Sequence, residues 1–251
     1  MDQALVTIIS NVEVMPDAYL MWLDCPEIPQ EARAGQFVMV RCGEETVLRR
    51  PLSVHQTDEN RFALLYAVIG KGTQWLAACQ PGDKLDVFGP LGNGFTVHPG
   101  SRNLLLVAGG MGIAPLMFLA DRAVAEGRDV VTLLYGTANR DRYYVPSGVT
   151  EVAATEDGSV GYQGMVTELI SQYVGRADQM FACGPLPMYR DMATMPELKN
   201  KPVQVSLEMR MGCGFGVCYS CTIRTVNGLK QVCKDGPVFE LNEINWEEIK
   251  T

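Results

Sequence analysis

The sequence is poor in histidine and has no excess of basic residues, and these shortages exclude several functions. Its 251 residues include two histidines, His55 and His98, which weakens any proposal of a histidine-ligated metal or a Ser-His-Asp triad. The net charge is −8, and no cluster of Lys and Arg is present that would suit a nucleic acid or an anionic membrane. We therefore expect no nucleic-acid partner and no membrane association.

No apolar run is long enough without interruption to read as a membrane span, and the N-terminus lacks the basic region of a signal peptide. The longest apolar stretch, residues 103–120, contains Gly109, Gly110, Gly112 and Pro115. A strand, a glycine loop and a helix explain this stretch better than a lipid-facing helix. Eight cysteines in a chain without a targeting segment indicate a reducing compartment, so we expect a cytoplasmic protein.

The first part of the chain, residues 1–99, is predicted to form a small antiparallel β-barrel domain. Apolar segments recur at 4–9, 36–40, 61–68 and 84–88, and glycine and proline separate them. Short strands at this spacing, with turn signals between them, are typical of such barrels. A short helix is expected at 73–79.

The pattern then changes to alternating strands and helices, which predicts a parallel-sheet α/β domain over 100–202. Expected strands lie at 103–108, 130–135, 150–154 and 179–183, and expected helices at 115–127, 167–173 and 186–195. The remaining residues, 203–251, are too few to bury a conventional core. We expect this third, cysteine-bearing domain to be organised by a metal cluster.

Four cysteines of this C-terminal segment are the most informative feature of the sequence. Cys213, Cys218 and Cys221 read C-x4-C-x2-C, and Cys233 follows after eleven residues. This spacing begins like the plant-type ligand pattern for a [2Fe–2S] cluster, and the intervening glycines let the backbone wrap closely around sulfur. A zinc site, which usually pairs two short cysteine knuckles, and a disulfide framework remain alternatives in that order.

Two loops of the α/β part are candidates for binding a nucleotide. Gly109, Gly110, Met111 and Gly112 follow a buried strand and open a helix, where backbone N–H groups and the helix dipole favour a pyrophosphate. Cys183, Gly184 and Pro185 close a later strand at the edge where open α/β sheets bind ligands. Tight turns without a ligand would give the same pattern in each loop.

The barrel carries two weaker signals. Arg50, Pro51, Leu52 and Ser53 place a cation and a hydroxyl beside a proline of fixed φ, which could serve a phosphate and a ring nitrogen. Gly72 and Thr73 open the expected helix and offer a second phosphate cradle. For the Arg50 motif, a solvated pair of basic residues beside a turn is the plainer interpretation. Each of these motifs is a weak signal alone, and their order along the chain is what makes a cofactor-binding interpretation stronger.

Four of these motifs, in their order along the chain, resemble the ferredoxin–NADP⁺ reductase superfamily. They are Arg50-Pro51-Leu52-Ser53, Gly72-Thr73, Gly109-Gly110-Met111-Gly112 and Cys183-Gly184-Pro185. The segments 207–213 and 232–239 are similar to those of the electron transfer subunits of NAD-dependent dihydroorotate dehydrogenases. The resemblance covers essentially the whole chain, and the C-terminal segment is its most specific part. Leu52 departs from it, because many superfamily members have a tyrosine there that adds a ring-stacking contact.

The resemblance implies FAD in the barrel, NAD in the α/β domain and a [2Fe–2S] cluster in the tail. The implied flavin residues are Arg50, Pro51, Leu52, Ser53, Leu65, Tyr66, Ala67, Gly72 and Thr73, and the implied cluster ligands are Cys213, Cys218, Cys221 and Cys233. It further implies an FMN-containing dihydroorotate dehydrogenase catalytic subunit as partner, in a heterotetramer of two plus two. Electrons would then run from the partner through the cluster and FAD to NAD⁺, with no catalytic side chain of this chain involved.

Three points stay open at this level. A small flavin and iron–sulfur subunit of a sulfhydrogenase or of an NAD(P)H:ferredoxin oxidoreductase has a similar layout, and a zinc-stabilised interaction module without redox activity is the alternative from another class. The nicotinamide preference is also undecided, because Arg140 and Arg142 could accept a 2′-phosphate whereas Asp141 would repel one.

Overall fold

The structure is a computed structural model that describes residues 2–144 and 148–249. The predicted domain ranges also include residues 1, 145–147 and 250–251, which lie outside the described residues. Across the described part, none of the helices combines the length and apolar character needed to cross a bilayer.

The first part of the chain forms a closed six-stranded antiparallel barrel, as predicted. Its strands are β1 (Asp2–Met15), β2 (Ala18–Asp24), β3 (Phe37–Val40), β4 (Arg50–Asp58), β5 (Arg61–Ala67) and β6 (Lys84–Leu91). Two short helices, α1 (Glu27–Glu31) and α2 (Lys71–Ala78), lie between strands. The alternation in β6 shows why these residues form a barrel wall, since Leu85 and Val87 are buried between more exposed neighbours. Around the barrel the strands follow the order β1-β2-β5-β4-β3-β6.

The second part forms the predicted parallel sheet from β7 (Asn103–Gly109), β8 (Val130–Thr137), β9 (Thr150–Thr155), β10 (Tyr162–Gln163) and β11 (Gln179–Cys183). The central strands β7, β8 and β11 are apolar on both faces. Its helices are α3 (Ile113–Ala125), α4 (Ile170–Tyr173) and α5 (Leu186–Thr194). The expected helix at 167–173 is a 3₁₀ turn followed by the single turn of α4.

The C-terminal segment contributes two strands to this same sheet. β12 (Val203–Ser206) pairs in parallel with β11, and β15 (Val238–Glu240) pairs antiparallel with β12, giving the order β10-β9-β8-β7-β11-β12-β15. The predicted boundary between 202 and 203 therefore falls inside the sheet. Between these strands lie a hairpin of β13 (Thr222–Thr225) and β14 (Gly228–Gln231), and the short helix α6 (Val232–Asp235). Phe239, Leu241 and Trp246 are buried, so packing as well as any metal holds the tail.

The barrel and the α/β region meet through β4 and α3. The side-chain amide of Gln56 donates to Asp121 at 2.7 Å, and the apolar core continues from the barrel strands into α3 without a break. His55 of β4 is buried at this contact. Its Nδ1 lies 2.9 Å from the carbonyl oxygen of Ala114, and its ring meets Tyr144 edge-on with centroids 5.6 Å apart.

Burial lowers the pKa of His55 to about 4, from an ordinary value of 6.5. The unfolded chain therefore binds a proton between pH 6.5 and 4 that the folded chain excludes. The stability that neutral His55 provides is complete above pH 6.5 and is lost as the pH falls towards 4. We expect its contribution to the free energy of unfolding to fall by about 3 kcal/mol across this window. Urea unfolding at several pH values, compared with His55→Asn, measures it; identical pH slopes would contradict the assignment.

Candidate functional site

A cleft of about 350 Å³ opens at the carboxyl ends of the parallel strands. It lies where β7 and β11 are neighbours and the strand order changes direction, the position at which open α/β sheets bind ligands. The structure brings six of the predicted nicotinamide-site residues together in its lining, namely Gly109, Gly110, Met111, Gly112, Gly184 and Pro185. The two loops that the sequence singled out therefore form one site.

The glycines of this cleft are required by two different constraints. A Cβ on Gly112 would lie 1.9 Å from the carbonyl oxygen of Cys183, so only glycine lets the two loops touch. Gly110 has open space around it but a φ of +52°, which favours glycine for conformational reasons. Residues Gly110–Gly112 of this loop form a 3₁₀ turn that leads directly into α3, and the Ile113 N–H is bonded within that turn. The start of the combined turn and helix supplies N–H donors and positive potential for a phosphate. The floor of the cleft thus fits a pyrophosphate.

Cys183 does not line the cleft with its side chain. Its thiol is fully buried beneath it, and burial raises the pKa well above the ordinary range. The neighbouring Tyr189 hydroxyl accepts from the Gly184 N–H at 2.8 Å and donates to the Ser206 carbonyl at 2.6 Å. Cys183 contributes a backbone contact to the loop geometry, and its role in cofactor binding stays a prediction.

Sequence reasoning missed the two carboxylates of the cleft, Glu156 and Glu208. Glu156 follows β9 and Glu208 lies two residues after β12, so both sit at the same carboxyl edge as the predicted loops. Glu208 is exposed to the solvent of the cleft, and partial desolvation by the cleft walls raises the pKa of its carboxyl. Recognising 203–206 as a strand of the sheet would have pointed to Glu208. The other missed lining residues are Gly136, Thr137, Ala138, Gly164, Met165, Val166, Thr167 and Met188.

The first flavin motif opens β4, where Arg50, Pro51, Leu52 and Ser53 are half-buried and pair with residues 37–40 of β3. The Arg50 side chain crosses the start of α2, and a Cβ on Gly72 would lie 2.7 Å from its Nε. The two motifs predicted for a flavin are therefore adjacent in space. Together they place the Arg50 guanidinium beside the start of α2, where Gly72 has no side chain to occupy the space. A positive charge at an open helix start fits a phosphate group.

The remaining predicted flavin residues are largely engaged within the protein. The Thr73 hydroxyl accepts from the N–H groups of Ile69 and Gly70, at 2.9 and 3.2 Å, and so caps α2. Leu65 and Tyr66 are buried, the Tyr66 hydroxyl donates to Asn11 at 3.0 Å, and only Ala67 is partly accessible. The roles of Leu65 and Tyr66 in flavin binding stay predictions.

The four tail cysteines converge as two pairs. Cys213 and Cys218 are hydrogen-bonded to each other, with the Cys213 N–H 3.4 Å from the Cys218 sulfur. Cys221 and Cys233 form the second pair, with the Cys233 N–H 3.4 Å from the Cys221 sulfur. In residues 2–144 and 148–249, no group of three or more Cys, His, Asp or Glu side chains is placed so that it could hold a metal ion. Two pairs of thiols fit two irons with two thiolates each.

The environment of the first pair favours the thiolate form, which is the form that ligates metal. Hydrogen bonds from the side chain and backbone of Ser220 lower the pKa of Cys218 to about 6. Burial alone would raise the pKa of Cys213. Hydrogen bonds from backbone N–H groups, including that of Val217 at 3.4 Å, have the larger combined effect and lower this pKa. Burial raises the pKa of Cys233 to about 12, so a metal bound there would have to displace the thiol proton.

The cysteine loop packs directly on the barrel. A Cβ on Gly214 would lie 2.5 Å from the Met39 side chain, and Phe215 meets Phe88 edge-on with centroids 5.7 Å apart. Met39 of β3 is the strand partner of Pro51 in the first flavin motif. One strand therefore separates the cysteine loop from the residues predicted to hold a flavin.

Comparisons with known proteins cover both the cysteine segment and the whole fold. Residues 208–245 match the family model described as the iron–sulfur cluster binding domain of dihydroorotate dehydrogenase B. In the structure determined for an NADH-dependent reduced ferredoxin–NADP oxidoreductase, a chain superposes with a TM-score of 0.88 at 32% identity, over 98% of this chain and 91% of that one.

Two curated relatives are named dihydroorotate dehydrogenase B (NAD(+)), electron transfer subunit. The protein of Desulforamulus reducens is 39% identical, over 93% of this chain and 95% of its own length. That of Caldanaerobacter subterraneus subsp. tengcongensis is 36% identical, over 94% and 96%. The resemblance found in the sequence is thereby confirmed, and the chain belongs to the family of dihydroorotate dehydrogenase B electron transfer subunits.

Proposed function

We propose that this chain is the electron transfer subunit of an NAD-dependent dihydroorotate dehydrogenase, acting in pyrimidine biosynthesis. It would carry electrons from a partner that oxidises dihydroorotate to orotate through a [2Fe–2S] cluster and FAD to NAD⁺. The observation that supports this most is the packing of the cysteine loop on Met39, the strand partner of Pro51. It brings the residues proposed to bind the cluster close to those proposed to bind the flavin.

When bound, the nicotinamide supplies hydride chemistry, the cluster one-electron chemistry, and the flavin the exchange between the two. The side chains of this protein would bind and orient these groups, and none is needed as a general acid or base. Arg50 and the start of α2 would hold the flavin phosphates. The Gly109–Gly112 loop and α3 would hold the nicotinamide pyrophosphate, and the four tail cysteines would hold the irons.

The charges around the cleft support NAD rather than NADP. The charged side chains in the described lining are Glu156 and Glu208, both acidic. The arginines that could have accepted a 2′-phosphate are engaged elsewhere: Arg140 donates to the Ser159 carbonyl at 2.7 Å and Arg142 to the Pro16 carbonyl at 2.8 Å. A carboxylate suits a free ribose hydroxyl and repels a 2′-phosphate. We propose Glu156 as the ribose-side residue.

The partner would be the FMN-containing catalytic subunit, arranged with this chain in a heterotetramer of two plus two. The cysteine loop presents Phe215, Val217 and Tyr219 to solvent, and the adjoining hairpin presents Val226 and Leu229. Exposed apolar side chains around an electron exit suit contact with another protein. None of the eight cysteines, all of which lie in the described residues, is joined in a disulfide, which supports a cytoplasmic location as a proposal.

We retain three functional units as a proposal: residues 1–99 for FAD, 100–202 for NAD and 203–251 for the cluster. The units share structure at their boundaries, because β12 and β15 of the last one complete the sheet of the second. The division therefore describes which residues serve which cofactor, and each unit depends on its neighbour for packing.

The experiment that tests this function is anaerobic purification of the full chain without a partner. It should show flavin and iron–sulfur absorbance and reduce a dye with NADH, but should not oxidise dihydroorotate. Adding the catalytic subunit should produce dihydroorotate-dependent NADH formation. Dihydroorotate turnover by this chain alone, or a colourless protein, would contradict the proposal.

A second candidate is supported by the superposition on the ferredoxin–NADP oxidoreductase structure, at 32% identity over almost the whole chain. In that case the partner would be a larger flavoprotein subunit of such an enzyme. Co-purification from the native host separates the two, because the partner is either a dihydroorotate-oxidising flavoprotein or a ferredoxin-linked one.

A further inference from the structure

We propose that Asn93 is a positioning residue for the cluster, fixing the Cys233 segment to the barrel and so setting its geometry relative to the flavin residues. Asn93 follows the last barrel strand and lies far in sequence from the cysteines. This inference rests on the proposed function only in assuming that Cys213, Cys218, Cys221 and Cys233 bind the cluster.

Three donor contacts join Asn93 to the end of the Cys233 helix, α6. The Asn93 backbone N–H donates to the carbonyl oxygen of Gly236 at 2.6 Å. Its side-chain Nδ2 donates to the carbonyls of Asp235 at 2.9 Å and Lys234 at 3.3 Å. An isolated parallel β-bridge also joins Asn93 to Pro237.

These contacts meet a requirement of the short helix. α6 spans only Val232–Asp235, and the last carbonyls of any helix have no partner within it. Gly236, the residue that follows, has a φ of −113° rather than the left-handed conformation of the usual glycine cap. Asn93 supplies donors for these carbonyls from another part of the chain. It acts together with the Val232 N–H bond to the Cys221 carbonyl, and so helps to fix the orientation of α6.

On its other side Asn93 is tied to the flavin strand. The side-chain amide of Gln36 donates to the carbonyl of Gly92 at 2.7 Å, and the Gln36 carbonyl accepts from the Val54 N–H at 3.0 Å. Val54 directly follows Ser53, the last residue of the first flavin motif. A Cβ on Gly92 would lie 2.6 Å from Pro237, so this junction is packed tightly.

The resulting path is short and continuous: Val54, Gln36, Gly92, Asn93 and then the carbonyls that end α6. Cys233 lies one residue before the first of those carbonyls. Its N–H contacts the Cys221 sulfur, so a shift of α6 would change the second thiol pair of the cluster. Residues outside the ligand shell that orient ligands commonly affect metal sites strongly, by about 10–100-fold in affinity or activity.

The test compares the full chain with Asn93→Asp and Asn93→Ser. The aspartate has the same shape but no side-chain donor, and its carboxylate would face the carbonyls of Lys234 and Asp235. The serine keeps one donor on a shorter arm, and both variants keep the backbone bond to Gly236. Asn227→Ala is the control, because Asn227 donates to Glu243 within the tail, at 3.2 Å, and contacts none of the residues on this path. Flavin and iron content, the EPR spectrum of the dithionite-reduced protein, and rapid mixing with NADH are measured for each.

We expect Asn93→Asp to keep wild-type flavin content and flavin bleaching by NADH, while subsequent reduction of the cluster slows by about tenfold or more. Its EPR lines should broaden, Asn93→Ser should lie between it and wild type, and Asn227→Ala should match wild type. Loss of iron with flavin retained, in Asn93→Asp alone, would support the same role. Wild-type cluster reduction and EPR lines in both variants would overturn it, and so would equal loss of flavin and iron.

If wild-type protein contained neither flavin nor iron, the proposed function would fail before the Asn93 comparison began. The two failures are therefore distinguishable. A cofactor-loaded wild type with unaffected Asn93 variants would contradict the positioning role alone.

Discussion

Replacing Cys233 with serine should abolish cluster binding while leaving the flavin and nicotinamide functions in place. Cys233 is buried and paired with Cys221, so serine removes one of two thiolates from an iron without opening the fold. We expect iron and acid-labile sulfide to fall almost to zero, the reddish-brown absorbance to give way to a flavin spectrum, and electron transfer with the catalytic subunit to be lost. NADH–dye reduction, which needs only the flavin, should persist.

The matched control for that substitution is Cys25→Ser. Cys25 is also buried, but it lies in the barrel and its thiol donates to Glu27 at 3.3 Å, a hydrogen bond that serine can make as well. It should keep full iron content. Retention of iron by Cys233→Ser would remove Cys233 from the ligand set, and loss of iron from Cys25→Ser would show that the effect is not specific to the tail cysteines.

Replacing Gly112 with alanine should unfold the nicotinamide cleft. The added Cβ would lie 1.9 Å from the Cys183 carbonyl oxygen and 2.8 Å from the Gly184 nitrogen, both of them backbone atoms that cannot rotate away. Overpacking against a flexible side chain typically costs about 1–3 kcal/mol, so a clash with backbone should cost about 3 kcal/mol or more. We expect a lower urea midpoint and no measurable binding of ADP-ribose by the full chain.

Gly175→Ala is the control for this second substitution. Gly175 has no atoms within 4 Å of an added Cβ and no positive φ, so its stability and ADP-ribose binding should stay near wild type. If Gly112→Ala bound ADP-ribose normally, the tight approach of the two loops would not be needed for the site.

The sequence predicted the barrel and the parallel sheet because both depend on local patterns. Alternation in β6 and the apolar run of β7 are visible in a window of a few residues. β2 and β4 were not among the predicted barrel strands. The first is apolar without clear alternation and the second carries Arg50, Pro51 and His55, so their strand state depends on pairing with β5 and β3.

The site was predictable where chemistry is carried by contiguous residues, as in the cysteine loop and the glycine loop. It was not predictable where tertiary contact decides. Glu208 enters the cleft only because β12 joins the sheet, and Asn93 meets α6 only after the barrel closes. The glycine at 112 was interpreted as room for a pyrophosphate, whereas the structure shows a direct backbone contact with Cys183 as well.

The antiparallel strand β15 has a consequence for how this protein could acquire its metal. β12 and β15 are neighbours in the sheet, so the polypeptide that carries all four cysteines leaves and returns at almost the same place. The hydrogen bonds between β12 and β15 hold the two ends of this segment together, which lowers the entropic cost of ordering the residues between them. Iron and sulfide can then be inserted into a cysteine segment that is already anchored to a folded sheet. Their removal should be reversible without refolding the rest of the molecule.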